Sequence, residues 1–107
     1  MPDPESPRVE RWRRLVEQSP DNELARFSLG SAYFDESRFA EAEPHFARAL
    51  ELKRDWVVAC ILRARCLIEL GRAAEAKPLL LAGREHSIQQ HHQSPVEEID
   101  SILAELP

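Results

Sequence analysis

Arg38-Phe39-Ala40-Glu41-Ala42-Glu43-Pro44 returns as Arg72-Ala73-Ala74-Glu75-Ala76-Lys77-Pro78, 34 residues further on, with five of the seven positions identical. The agreement spreads outward from that stretch. Sliding residues 21–54 over 55–88 pairs Asp21 with Asp55, Ala25 with Ala59 and Glu51 with Glu85. Apolar or small residues pair between them: Leu24 with Val58, Phe27 with Ile61, Gly30 with Ala64, Phe34 with Ile68, Phe46 with Leu80 and Ala49 with Gly83. A repeat of this length is one supersecondary unit, which cannot bury its own apolar face and must stack on a neighbour.

Within each unit the apolar positions recur at helical spacing. The pattern predicts helices over about 22–35 and 39–52, then about 56–69 and 73–90. Gly30, Ala42 and Ala49 are small enough to let two antiparallel helices approach closely, and Tyr33 and Phe46 fill the space between them. Pro44 and Pro78 fall near the first turn of the second helix of each pair, where a missing N–H costs little. Gly83, opposite Ala49 in the repeat, predicts a tight helix crossing. Upstream, Ser6-Pro7 reads as an N-cap and first helical residue. A helix over 7–18 follows, with Val9, Trp12, Leu15 and Val16 on one stripe and Arg8, Arg11, Arg13 and Arg14 around the rest as a solvated face. Downstream, Gln89-Gln90-His91-His92-Gln93 interrupts the register, and Ser94-Pro95 starts a helix over about 95–106. Its apolar face (Val96, Ile99, Ile102, Leu103, Leu106) and acidic outer face suit the end cap that a solenoid requires.

Leu29-Gly30-x-x-Tyr33, Ala42, Phe46 and Ala49-Leu50 resemble the tetratricopeptide repeat family. The resemblance covers two full repeats, about 21–54 and 55–88. The second is the looser copy, with Arg63 in place of a leucine; Arg54 stands where a proline usually closes the first. It implies an all-α fold: a short right-handed α-solenoid of two helical hairpins, an N-terminal flanking helix and a C-terminal capping helix. Residues 1–6 are expected to be disordered and 7–107 to form a single domain.

Composition narrows the function classes. A net charge of −5 argues against a nucleic-acid groove. No 18-residue uncharged apolar run exists for a membrane span. Met1-Pro2-Asp3-Pro4-Glu5 lacks the basic and apolar regions of a signal peptide, so a cytoplasmic location is expected. Cys60 and Cys66 lie about 9 Å apart along one helix, too far for an unstrained disulfide, and read as reduced core residues. His86, His91 and His92 lack the i, i+4 spacing of two ligands on one helical face, and His45 stands alone as a surface or boundary residue. No metal, no cofactor and no enzymatic activity is expected; neither a phosphate loop nor a nucleophile elbow is visible.

The informative feature is the first helix of each pair. At 100° per residue, Ala25, Leu29, Ala32 and Tyr33 gather on one side of helix 22–35, while Leu24, Phe27 and Phe34 gather opposite, beside Ser31 and Asp35. The second pair supplies Val58, Ile61 and Ile68, with Arg65 and Glu69. A helix apolar on two opposed faces needs a second thing to bury against. That could be the 7–18 helix, the capping helix, a ligand or a second copy of the chain. Arg65 is placed to pair with Glu69 at i, i+4, and Arg63 to lay its stem along the core edge or to hold an acidic partner group.

By resemblance, the first helices of tetratricopeptide repeats line a concave groove that binds extended or helical peptides, and these ten residues would line it here. The family's best-known groove clamps a C-terminal carboxylate with basic and asparagine side chains. Phe27, Ser31, Val58 and Leu62 stand where those would be wanted, so chaperone-tail binding is not expected. The expected function is a non-enzymatic interaction module or scaffold that binds a protein or peptide through an apolar groove. The alternative is a structural homodimer or larger homo-oligomer that buries the same groove.

Overall fold

Local capping chemistry sets where the first two helices begin. The Ser6 hydroxyl accepts from the Val9 N–H at 3.2 Å and Pro7 takes the first helical position, opening α1 (Pro7–Gln18). The Asn22 side chain accepts from the Ala25 N–H at 2.9 Å and opens α2 (Glu23–Asp35). There follow α3 (Phe39–Leu52), α4 (Val57–Glu69), α5 (Ala73–Gln89) and α6 (Gln93–Glu105). The structure is a computed structural model that describes residues 5–107; no strand occurs among them.

Each helix packs on its neighbours in the chain, α1 on α2, α2 on α3, and so on to α5 on α6; α4 also touches α6. Nearest-neighbour stacking of this kind makes a solenoid, here 40 × 27 × 19 Å. The hairpins are α2–α3 and α4–α5, flanked by α1 and α6.

Three helix ends use one device. After α2, α4 and α5 the chain passes through a residue of positive φ: Ser37 at 59°, Gly71 at 76° and His91 at 58°. The next N–H then returns to a carbonyl five residues back: Arg38 to Tyr33, Arg72 to Leu67 and His92 to Ser87, at 2.9, 2.7 and 2.9 Å. This is the Schellman ending, and only glycine adopts its left-handed residue without a Cβ penalty. Ser37→Gly is therefore expected to stabilise the chain by about 0.5–1 kcal/mol, raising the melting temperature by a few degrees. A calorimetric midpoint unchanged or lowered would show that the Ser37 side chain offsets its own strain.

The repeated seven-residue stretch now has a physical account. Arg38 pairs with Glu41 three residues on, and Arg72 holds Glu75 through two bonds of 2.6 and 2.8 Å. Ala42 and Ala76 are fully buried at the helix crossings. The prolines lie deeper than the first turn. Counting from Phe39 and Ala73, each is the sixth residue of its helix. The helical acceptors they deprive of an N–H are the carbonyls of Ala40 and Ala74, both exposed residues, so water can take the place of the lost donor. Glu43, one of the two positions where the copies differ, serves the second repeat. It receives the Arg63 Nε at 2.9 Å and is only 12% exposed. Arg63 is thus held within the chain, not left for a partner.

Close approach is confirmed at both expected glycines. A Cβ on Gly30 would stand 2.9 Å from the Phe46 ring; on Gly83 it would stand 3.1 Å from the Cys60 Cβ. Cys60 and Cys66 are buried, and burial pushes their thiols up to about 11 and about 12. His45 is half-buried, stacked on Tyr33 with ring centres 5.8 Å apart, and burial together with the Arg26 guanidinium lowers its pKa.

Both flanks differ in detail from the sequence expectation. Residues 1–4 lie outside the described residues, but Glu5 and Ser6 are tied down: Glu5 pairs with Arg13 at 3.0 Å and accepts from the Tyr33 hydroxyl at 3.4 Å, and Ser6 donates to Glu36 at 2.6 Å. At the other end, α6 begins at Gln93, with His92 as N-cap, so Ser94 and Pro95 are its second and third residues. The buried Ser87 hydroxyl donates to the His92 carbonyl at 2.8 Å and joins the two helices. The long α5 and the left-handed turn at His91 put α6 close on the second hairpin.

Candidate partner-binding groove

The ten candidate residues separate into three groups. Phe27 and Ile61 sit inward. Phe27 stacks on Trp56 at 4.4 Å and lies edge-on to Phe46 at 5.6 Å, which joins the first hairpin to the start of α4. Ile61 is 4% exposed, in a cluster with Leu67, Leu80 and Ile99 of α6. So the expectation of an open stripe fails at its middle. The aromatic at the head of α4 covers one residue and the capping helix covers the other.

Leu24 and Val58 are the open members, 59% and 50% exposed. They lie at the N-terminal ends of α2 and α4. Leu24 borders a depression with Trp12 and Leu15 of α1, and Val58 borders another with Trp56, Gln90 and Pro95.

The remaining residues mark the C-terminal ends of the same helices. Phe34 is half-buried, edge-on to Phe39 at 5.4 Å and to Phe46 at 6.3 Å. Phe34, Arg65, Ile68 and Glu69 converge with Phe39 of α3 and with Ile102 and Glu105 of α6 on a cleft of about 210 Å³. A second depression of about 280 Å³ shares Arg65, Ile102 and Glu105 and adds Glu98 and Ser101. Together they run along α6 as one open trough. Ser31 and Asp35 line neither depression: Ser31 is half-buried, and Asp35 is exposed and paired with Arg8 of α1. Arg65 does not pair with Glu69; its Nη2 reaches across to Glu98 of α6 at 2.8 Å.

Of the residues that line this cleft, sequence reasoning names Phe34, Arg65, Ile68 and Glu69 and does not name Phe39, Ile102 and Glu105. Phe39 belongs to the second helix of its hairpin, whereas the resemblance places the groove on the first helices. Ile102 was read as part of the cap's buried face. It is half-buried, with one side on the second hairpin and the other in the trough. Its register could have been read only with the place of α6 known.

The cleft is lined by four apolar side chains, Phe34, Phe39, Ile68 and Ile102, each from a different helix, and by the charged Arg65, Glu69 and Glu105. Among the described residues no group of His, Cys, Asp and Glu is placed to hold a metal. No helix among them is long and apolar enough to cross a membrane.

Comparison with known proteins agrees with this architecture. The tetratricopeptide repeat family model matches residues 33–89. Protein O-mannosyl-transferase Tmtc3 of Drosophila melanogaster is 37% identical over 94 residues, a match covering 86% of this chain and 10% of that protein. The chain thus spans about a tenth of the length of that curated relative. Among solved structures, BPP2914 of Bordetella parapertussis superposes with a TM-score of 0.78 at 28% identity, over 94% of this chain and 87% of that one. The TPR2B domain of yeast Sti1, solved in complex with pHsp70, also gives 0.78, at 24% identity, over 87% of this chain and 74% of its own; at that identity the likeness is one of fold.

Proposed function

The chain belongs to the tetratricopeptide repeat family, and from that premise we propose that it is a non-enzymatic interaction module whose partner, a peptide or a helix, lies in the trough lined by α2, α3, α4 and α6. The observation that carries this reading is the convergence of four apolar side chains from four helices on one open cleft. Ligand sites combine such apolar walls with a few placed polar groups. Here the polar groups are Arg65, Glu69 and Glu105. Phe27 and Ile61 act as its foundation, and Leu24 and Val58 extend the face toward the other helix ends.

The competing occupant is a second copy of the chain. Size-exclusion chromatography with light scattering should give a monomer at micromolar concentration. Ile68→Glu puts a charge among the four apolar side chains; it should abolish retention of protein partners on the immobilised chain while circular dichroism stays unchanged. A dimer that Ile68→Glu splits would replace the partner reading with self-burial of the trough.

A further inference from the structure

We propose that the trough selects a basic segment, one in which one or two bulky apolar side chains are flanked by Lys or Arg. This rests on the reading of the trough as the partner site and adds the charge class of what enters it. Three carboxylates, Glu69, Glu98 and Glu105, border the two joined depressions, against one cation, Arg65. That cation is already held by Glu98 at 2.8 Å. Glu69 and Glu105 are exposed and make no ion pair among the described residues.

The neighbouring cations are committed elsewhere. Arg8 is held by Asp35, and Arg38 by Glu41, with its guanidinium 4.7 Å from the Tyr33 ring centre. Arg72 is held by Glu75 at 2.6 Å. An acidic peptide would therefore have to draw Arg65 off Glu98 while lying beside two uncompensated carboxylates. A basic one finds Glu69 on α4 and Glu105 on α6, beside the four apolar side chains. The chain's net charge of −5 favours the same encounter at longer range. The size of the cleft, about 210 Å³, limits the anchor to one or two large side chains. Rim charges of this kind set specificity and association rate, and the apolar anchors supply most of the affinity.

The test is selection of short random peptides, displayed on phage, against the immobilised chain. Enriched peptides should carry Lys or Arg on both sides of an apolar pair. Their affinity should fall roughly tenfold or more in the Glu69→Lys, Glu105→Lys double variant, and should fall as salt rises from about 50 to about 500 mM. Both positions are exposed and unpaired among the described residues, so the variant should keep the parent's melting temperature. Enrichment of neutral or acidic peptides, or an affinity indifferent to the double charge reversal, overturns the charge class and leaves the site standing. Amide shifts on titrating an enriched peptide locate the site independently. They should centre on Phe34, Ile68 and Ile102. Shifts elsewhere, or no enrichment at all, overturn the trough itself whatever the peptide's charge.

Discussion

Phe46→Ala should lower stability by about 3–5 kcal/mol, the range for a large aromatic truncated in a core that cannot close up. Phe46 is fully buried, and its ring is met edge-on by Phe27 and Phe34. Backbone fills the remaining side: a Cβ on Gly30 would come within 2.9 Å of the ring. With α2 and α3 fixed by the turn at Ser37, little can move into the vacated space. A domain of this size holds only about 5–15 kcal/mol in total, so the melting temperature should drop by roughly 15–30 °C. Because Phe34 leans on Phe46 and also forms the trough wall, peptide affinity should fall even in the population that stays folded. Thermal and urea unfolding followed by circular dichroism decide it. A loss below about 1 kcal/mol would mean that the ring is not a keystone between the helices.

The same contacts reverse one sequence expectation. In sequence, Phe27 and Phe34 stand on the face opposite the repeat core, where replacement by serine is expected to cost little stability. In the structure Phe27 stacks on Trp56 and both rings touch Phe46, so the replacement removes aromatic contacts from the core. What was legible was whatever repeats. A 34-residue period, small residues at crossings and glycine or proline punctuation place the helices and the two hairpins, because each follows from backbone geometry within one unit. What was not legible lies between units. Trp56 gives α4 no side-chain cap, and nothing local says that its ring covers Phe27. The reach of Arg65 to Glu98 and of Arg63 to Glu43 spans 33 and 20 residues. A helix-local rule pairs Arg65 with Glu69, and it lost to a partner brought close by tertiary structure. Ile102 shows the same limit, since its place on the trough depends on how α6 docks and not on its own period.

Deleting residues 93–107 should be more damaging than any single substitution, because α6 is at once lid, solvating face and trough wall. Ile99 is fully buried in the cluster of Ile61, Leu67 and Leu80, with Val96 buried beside it and Ile102, Leu103 and Leu106 packed at the margin. Fully burying one such side chain is worth roughly 1.5–3 kcal/mol, so losing Val96 and Ile99 alone removes about 3–6 kcal/mol of the roughly 5–15 kcal/mol that a small domain holds. The deletion also uncovers Ile61 and Leu80, and it removes the exposed acids Glu97, Glu98, Asp100 and Glu105 that face water in their place. An uncovered apolar patch invites self-association. The truncated chain should melt far lower and elute as aggregate in size-exclusion chromatography. Ile99→Ala should reproduce the loss of stability in part, by about 2–5 kcal/mol, with the acidic face still present and aggregation correspondingly reduced. Arg65 would lose Glu98, and the trough would lose Ile102 and Glu105, so any folded remainder should no longer bind a basic apolar peptide. A truncated chain that stays monomeric with the parent's melting temperature would show that the second hairpin closes without its lid. The trough would then be only the incidental margin of a dispensable helix.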